Sequence, residues 1–225
     1  MVKVTWIGQA GLLLKTGDRI IMIDPYFTDS VGEKDPVKHR RVPINEELFD
    51  IKPDIMIFTH SHLDHYDPET VKRFIKADSC MTVLAPSSVW SRVRELGGNN
   101  NYVLFNRHTE WSEGNIRFKA VKAEHSDPTP IGVIIEAEGK KYYVTGDTLY
   151  NEEIFSDLPR DIYAVFLPIN GAGNNMNMVD AARFSNRVAP DITVPIHIGM
   201  FDSLSADDFI CDTKQVLELY TEVEL

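Results

Sequence analysis

Thr59-His60-Ser61-His62-Leu63-Asp64-His65 is the stretch that decides how this chain reads. It follows an apolar run at residues 55–58 and precedes Asp67-Pro68-Glu69. There Asp67 is placed to cap free amide groups, and Pro68 suits the first position of a helix, predicted over residues 69–76. Three imidazoles and a carboxylate therefore crowd one strand-to-helix turn. So many titratable groups beside a buried strand are costly unless something offsets their desolvation, and a bound cation does so directly. Imidazole with carboxylate suits zinc, manganese or iron rather than calcium or magnesium.

Outward from this turn, β-rich runs recur at residues 2–7, 11–14, 19–23, 55–59 and 81–84, then at 116–123, 131–136, 141–145, 162–168 and 192–196. Several are too apolar to be half-exposed, so they are predicted as core strands. Further helices are predicted over 87–96, 179–188 and 206–219. Strands interleaved with helices indicate a layered α/β domain. A weak echo suggests two related halves: Gly17-Asp18-Arg19 leads through an apolar strand to Asp24, and Gly139-Lys140-Lys141 leads through another to Asp147. The polar stretch 25–45 has no periodicity, and loops of that length in compact domains are usually functional or disordered.

The 225 residues provide for one sizeable core, read as a single domain over 1–225. A formal charge of -11 argues against nucleic-acid or anionic-membrane binding and favours a small-molecule partner. Cys80 and Cys211 form no disulfide or thiolate-metal pattern, which points to a reducing cytoplasm. No stretch has the length or composition of a signal peptide or a membrane span. Homo-oligomerisation is left open.

The His-x-His-x-Asp-His turn resembles the signature of the metallo-β-lactamase superfamily, and the resemblance covers nearly the whole chain. It implies a four-layer αββα sandwich with metals at one edge, fed by loops that follow successive strands. His125, Asp147 and His197 then stand where single later ligands are wanted, each after a strand. By resemblance His60, His62 and His125 hold one divalent ion, Asp64, His65 and His197 hold a second, and Asp147 bridges them. Asp147 in place of a cysteine matches the general two-metal hydrolases rather than the zinc β-lactamases. His62 stands where flavodiiron proteins carry a glutamate, which disfavours redox chemistry. Asp24 and Thr59 are implied to steady the histidine turn. Two divalent ions, zinc or manganese, would lower the pKa of bound water from about 15.7 toward ~7 and supply a hydroxide nucleophile. Asp64 is the candidate catalytic proton carrier. With two carboxylates and a hydroxide the centre keeps about +1, enough to attract an anion.

Within the superfamily, Val4-Thr5-Trp6-Ile7-Gly8-Gln9-Ala10-Gly11 and Pro195-Ile196-His197-Ile198-Gly199-Met200-Phe201 are similar to the L-ascorbate-6-phosphate lactonase branch. So is Leu167-Pro168-Ile169-Asn170-Gly171. This implies a hydrolase that opens a lactone or related ester of a small anionic carbohydrate derivative. A phosphodiesterase is the alternative, and a metal-bound scaffold or sensor is the alternative of another class. Asn170 and Asn174, in a Gly/Asn loop, are candidate substrate contacts, as are Arg40 and Arg41, which could clamp a phosphate or carboxylate.

Overall fold

A computed structural model describes residues 1–200 and 203–225, so Phe201, the last residue of the closing motif, lies outside the described residues. The chain begins with β1 (Lys3–Trp6), β2 (Leu12–Thr16) and β3 (Arg19–Ile23), joined as antiparallel neighbours. Three further strands, β4 (Ile55–Ile57), β5 (Thr82–Ala85) and β6 (Asn101–Leu104), extend this sheet in parallel beyond β3. The second sheet starts with the antiparallel run β7 (Glu110–Glu113), β8 (Ile116–Lys122), β9 (Ile131–Ala137) and β10 (Lys140–Val144). It continues in parallel through β11 (Ala164–Pro168) and β12 (Ile192–Ile196). Finally β13 (Glu222–Glu224) returns to pair with β1.

The alternation of a pleated strand decides what each sheet buries. On β2, Leu12 and Leu14 enter the core between the sheets, while Leu13 points the other way into a second cluster. The central core joins Ile21, Ile23, Ile55 and Ile57 of the first sheet to Phe118, Val133, Ile135 and Val144 of the second. The second cluster sets Met22, Met56, Phe58 and Val83 against Val71 and Phe74 of helix α2 (Pro68–Phe74) and Val89 and Val93 of helix α3 (Ser87–Val93). Helix α4 (Met178–Val188) covers the outer face of the second sheet, with Phe184 beside Tyr143. The result is helix, sheet, sheet, helix: the αββα sandwich. Both faces of the central strands are covered, which is why they read as continuous apolar runs.

The helix predicted over 206–219 does not form. Only Ala206–Asp208 makes a single 3-10 turn. The chain then runs beside β12, where Thr193 N donates to Thr213 O and Gln215 N donates to Thr193 O, each at 2.8 Å. β12 lies at the end of its sheet, and its open backbone groups draw the chain into extended pairing. The 25–45 stretch is also more ordered than a loop: it holds the short helix α1 (Ser30–Lys34) and a 3-10 turn (Pro36–Lys38). No described helix is long and apolar enough to cross a membrane.

Candidate metal centre

The strand ends bring seven side chains to one edge of the sandwich. Thr59 through His65 leave β4 and run into the α2 cap, where Asp67 accepts from the amides of Glu69 and Thr70. From the second sheet, His125 follows β8, Asp147 follows β10 and His197 follows β12. Two donor groups result: His60, His62, His125 and Asp147 in one, Asp64, His65 and His197 in the other. The two oxygens of Asp147 face different groups. Oδ1 lies 3.2 Å from His65 Nε2 and 3.1 Å from His197 Nε2, whereas Oδ2 lies 3.6 Å from His125 Nε2 and 3.9 Å from His60 Nε2.

Neighbours fix which ring nitrogen His60, His65 and His125 offer. His65 Nδ1 lies 2.8 Å from Asp24 Oδ2, and since a carboxylate only accepts, the proton sits on Nδ1 and Nε2 is left for a cation. The Thr59 hydroxyl donates to Asp24 and so accepts from His60 Nδ1, 3.0 Å away. His125 Nδ1 donates to the Asn174 carbonyl at 3.2 Å. Among the described residues, buried His60 Nε2 and Asp147 Oδ1 have no hydrogen-bond partner. Acceptors converging without a donor are what a divalent transition-metal ion would satisfy, and the imidazole and carboxylate set fits one.

Charge supports the same conclusion. Burial is the largest single influence and disfavours a charged His65 and a charged His197, but the surrounding carboxylates together outweigh it, Asp147 with Asp24 and Asp64 at His65 and Asp147 with Asp64 at His197. His65 is lifted well above the usual imidazole range and His197 up to about 9. Burial likewise opposes ionisation of Asp64 and Asp147, yet the histidines hold both below the ordinary carboxylate range. His60, by contrast, is pushed well below its usual value by burial and by neighbouring His65. Such a site favours positive charge at its centre.

The centre forms the floor of a cavity of about 660 Å³, with Asp64, Asp147 and His197 exposed to it and Asn174 on its wall. Asn170 instead packs behind the centre, its Nδ2 2.9 Å from His197 Nδ1. The arginines also lie elsewhere. Arg40 is held by the carbonyls of Tyr26 and Val42 and by the Tyr220 hydroxyl, while exposed Arg41 donates its backbone N–H to Gly199 O. Neither lines the cavity, because the 25–45 segment folds so that Lys34 and Lys38 face it instead.

Three supporting residues escaped the sequence reading. Gln9 Nε2 lies 3.1 Å from Asp64 Oδ2 and 3.2 Å from His197 Nδ1. Asp127 accepts from the Ser61 amide and hydroxyl, which pins the middle of the histidine turn. Asn175 Nδ2 donates to Asp147 Oδ2 at 2.9 Å. The signals were present but unspecific: Gln9 lies in the opening motif, Asp127 two residues beyond His125, and Asn175 in the Gly/Asn loop.

Two sheets with a paired His/Asp donor set at their edge define the class of metal-dependent hydrolases built on the metallo-β-lactamase fold. Residues 19–198 match the family model described as the beta-lactamase superfamily domain, and the chain belongs to that family. A UPF0173 metal-dependent hydrolase of Thermoplasma acidophilum is 31% identical over 215 residues, spanning 92% of this chain and 87% of that protein. Among solved structures, Igni18, a metallo hydrolase from Ignicoccus hospitalis, superposes with a TM-score of 0.78 at 21% identity, covering 99% of this chain and 97% of its own. An isothiocyanate hydrolase from Delia radicum gut bacteria superposes with a TM-score of 0.79 at 16% identity, covering 99% of both chains. The last two likenesses concern the fold alone.

Proposed function

We propose that this metal-dependent hydrolase opens a lactone or related carboxylic ester of a small anionic molecule, with two divalent ions, zinc or manganese, in its two donor groups. The observation that carries the reading is Asp147, whose two oxygens reach both groups at the floor of one cavity. Ions held there supply an activated water and polarise the oxygen of the bond to be broken.

The chain's own residues do the rest. His60, His62 and His125 would hold one ion and Asp64, His65 and His197 the other, with Asp147 shared. Asp64 faces the cavity as a carboxylate, where it would take a proton and pass it toward the leaving group. Asn175 keeps Asp147 oriented, and the Asn174 carbonyl sets the His125 ring. The carbohydrate body implied by the sequence gains little support from cavity walls that carry Val31, Leu63, Ala172 and Met200.

The test is metal analysis followed by a hydrolysis panel of lactones, simple esters, thioesters and bis-p-nitrophenyl phosphate. Lactone or ester turnover that disappears on chelation and returns with zinc or manganese is the expected result. Turnover confined to the phosphodiester would replace the reading with the phosphodiesterase alternative, and full metal loading with no turnover on any substrate would favour a scaffold or sensor.

A further inference from the structure

The cavity has two unlike walls above its metal floor. One comes from the 25–45 segment, which places Val31 and Lys34 of the short helix and Lys38 of the next turn against the open space. The other comes from the Gly/Asn loop and from Met200, while Leu63 rises from the histidine turn itself. Among the described lining residues, Lys34 and Lys38 are the only lysine or arginine side chains.

The wall is tied to the metal centre. Asp67, two positions beyond His65, accepts from the hydroxyls of Thr28 and Ser30 as well as capping α2. Asp29, next along, accepts from the Arg40 amide at 2.8 Å and so closes the segment on itself. The lysines therefore stand on a braced element, and they differ in how far they are neutralised. Lys38 Nζ lies 3.3 Å from Asp35, whereas Lys34 makes no ion pair among the described residues. In a chain with a formal charge of -11, a free ammonium facing the reaction cavity opposes the surrounding negative field locally.

We propose that Lys34, assisted by Lys38, reads an anionic group at the end of the substrate remote from the bond that is broken. Carbon surface from Val31, Leu63, Ala172 and Met200 lies along the same cavity and takes the part between. The substrate class is thus an ester or lactone of a short, carbon-rich acid that carries a second, ionised terminus, rather than a polyhydroxylated sugar. This assignment rests on the ester-hydrolase reading above.

The discriminating pair of probes is p-nitrophenyl hemiglutarate, which carries a free carboxylate, and p-nitrophenyl butyrate, which does not. With metal-loaded protein, Lys34→Gln is expected to raise KM for the hemiglutarate about fivefold, the size of one solvent-exposed ion pair, and to leave the butyrate unchanged. Lys38→Gln should do less, and raising the salt should erase the wild-type preference. Equal effects on both esters, or none on either while turnover persists, would overturn the lysine assignment and leave the hydrolase reading standing. If no ester turns over, the ester-hydrolase reading fails by itself. Calorimetric binding of glutarate then decides the lysines, because binding no tighter to wild type than to Lys34→Gln would overturn their role.

Discussion

Gln9 Nε2 and Asp64 Oδ2 stand 3.1 Å apart although 55 positions separate them in the chain. The carboxylate can only accept, so the amide nitrogen must face it, and the same nitrogen lies 3.2 Å from His197 Nδ1. Two ligands of one donor group thus lean on a single buried amide. Gln9→Ala should lower affinity for the ion at Asp64, His65 and His197 by roughly 10- to 100-fold, the usual cost of losing a partner that orients a ligand. The other group should keep its ion. Metal content measured against free-metal concentration should then show one strong and one weakened step, and two unchanged steps would refute the role.

Asp147 serves both groups, so its loss should be felt twice. Asp147→Ala is expected to purify with little bound metal and no hydrolysis, and His62→Ala to lose chiefly one ion. Elemental analysis of the two variants beside wild type checks this, and a metal-replete Asp147→Ala protein would contradict the shared-ligand arrangement.

The turn that delivers Asp147 has its own requirement. Gly146 has φ +62, and a Cβ there would stand 2.7 Å from the Ile131 carbonyl oxygen. Gly146→Ala combines left-handed backbone strain of about 1–2 kcal/mol with a backbone clash. A lower melting temperature together with weaker metal binding is expected. Full stability and full metal loading would show that the loop yields without moving its aspartate.

Away from the centre, Asp157 is a pH-sensitive element of stability. Burial alone would raise its pKa, but the paired N–H groups of Arg107, at 2.7 and 2.9 Å, and the Lys122 amide hold it below the ordinary carboxylate range. Because the folded-state pKa is depressed, the stabilisation is fully present above the unfolded value of about 3.9 and is lost as pH falls through the folded one. Asp157→Asn should cost on the order of 2 kcal/mol at neutral pH and progressively less in acid. Denaturant unfolding at neutral pH and below pH 4 measures the difference, and a pH-independent loss would assign the effect to packing.

The metal turn was legible because His-x-His-x-Asp-His is dense chemistry in consecutive positions. The central strands were legible because burial on both faces leaves uninterrupted apolar runs. β6, β7 and β13 were not, since edge strands of three or four residues such as Glu110–Glu113 carry polar side chains and no long pattern. Residues 206–219 read as helical because nothing local announces that the edge of β12 will take up the chain. Arg40 and Arg41 were attractive as cations in a polar segment, but only the fold decides that Arg40 is used on backbone carbonyls while Lys34 faces the cavity. Gln9 was invisible for the same reason: its partners come from distant parts of the chain.

The suspected echo between halves has a counterpart in three dimensions. β2 and β3 form a hairpin through Gly17 that ends at Asp24, and β9 and β10 form one through Gly139 that ends at Asp147, each followed by parallel strands. His60, His62, Asp64 and His65 come from the first half, while His125, Asp147 and His197 come from the second. Bound ions would therefore rivet the two halves together across their seam, and ligand linkage ties the cohesion of the whole sandwich to the free-metal level around it. Scarcity of metal would then loosen the very joint that aligns the reacting groups, so that quiescence and fragility arrive together.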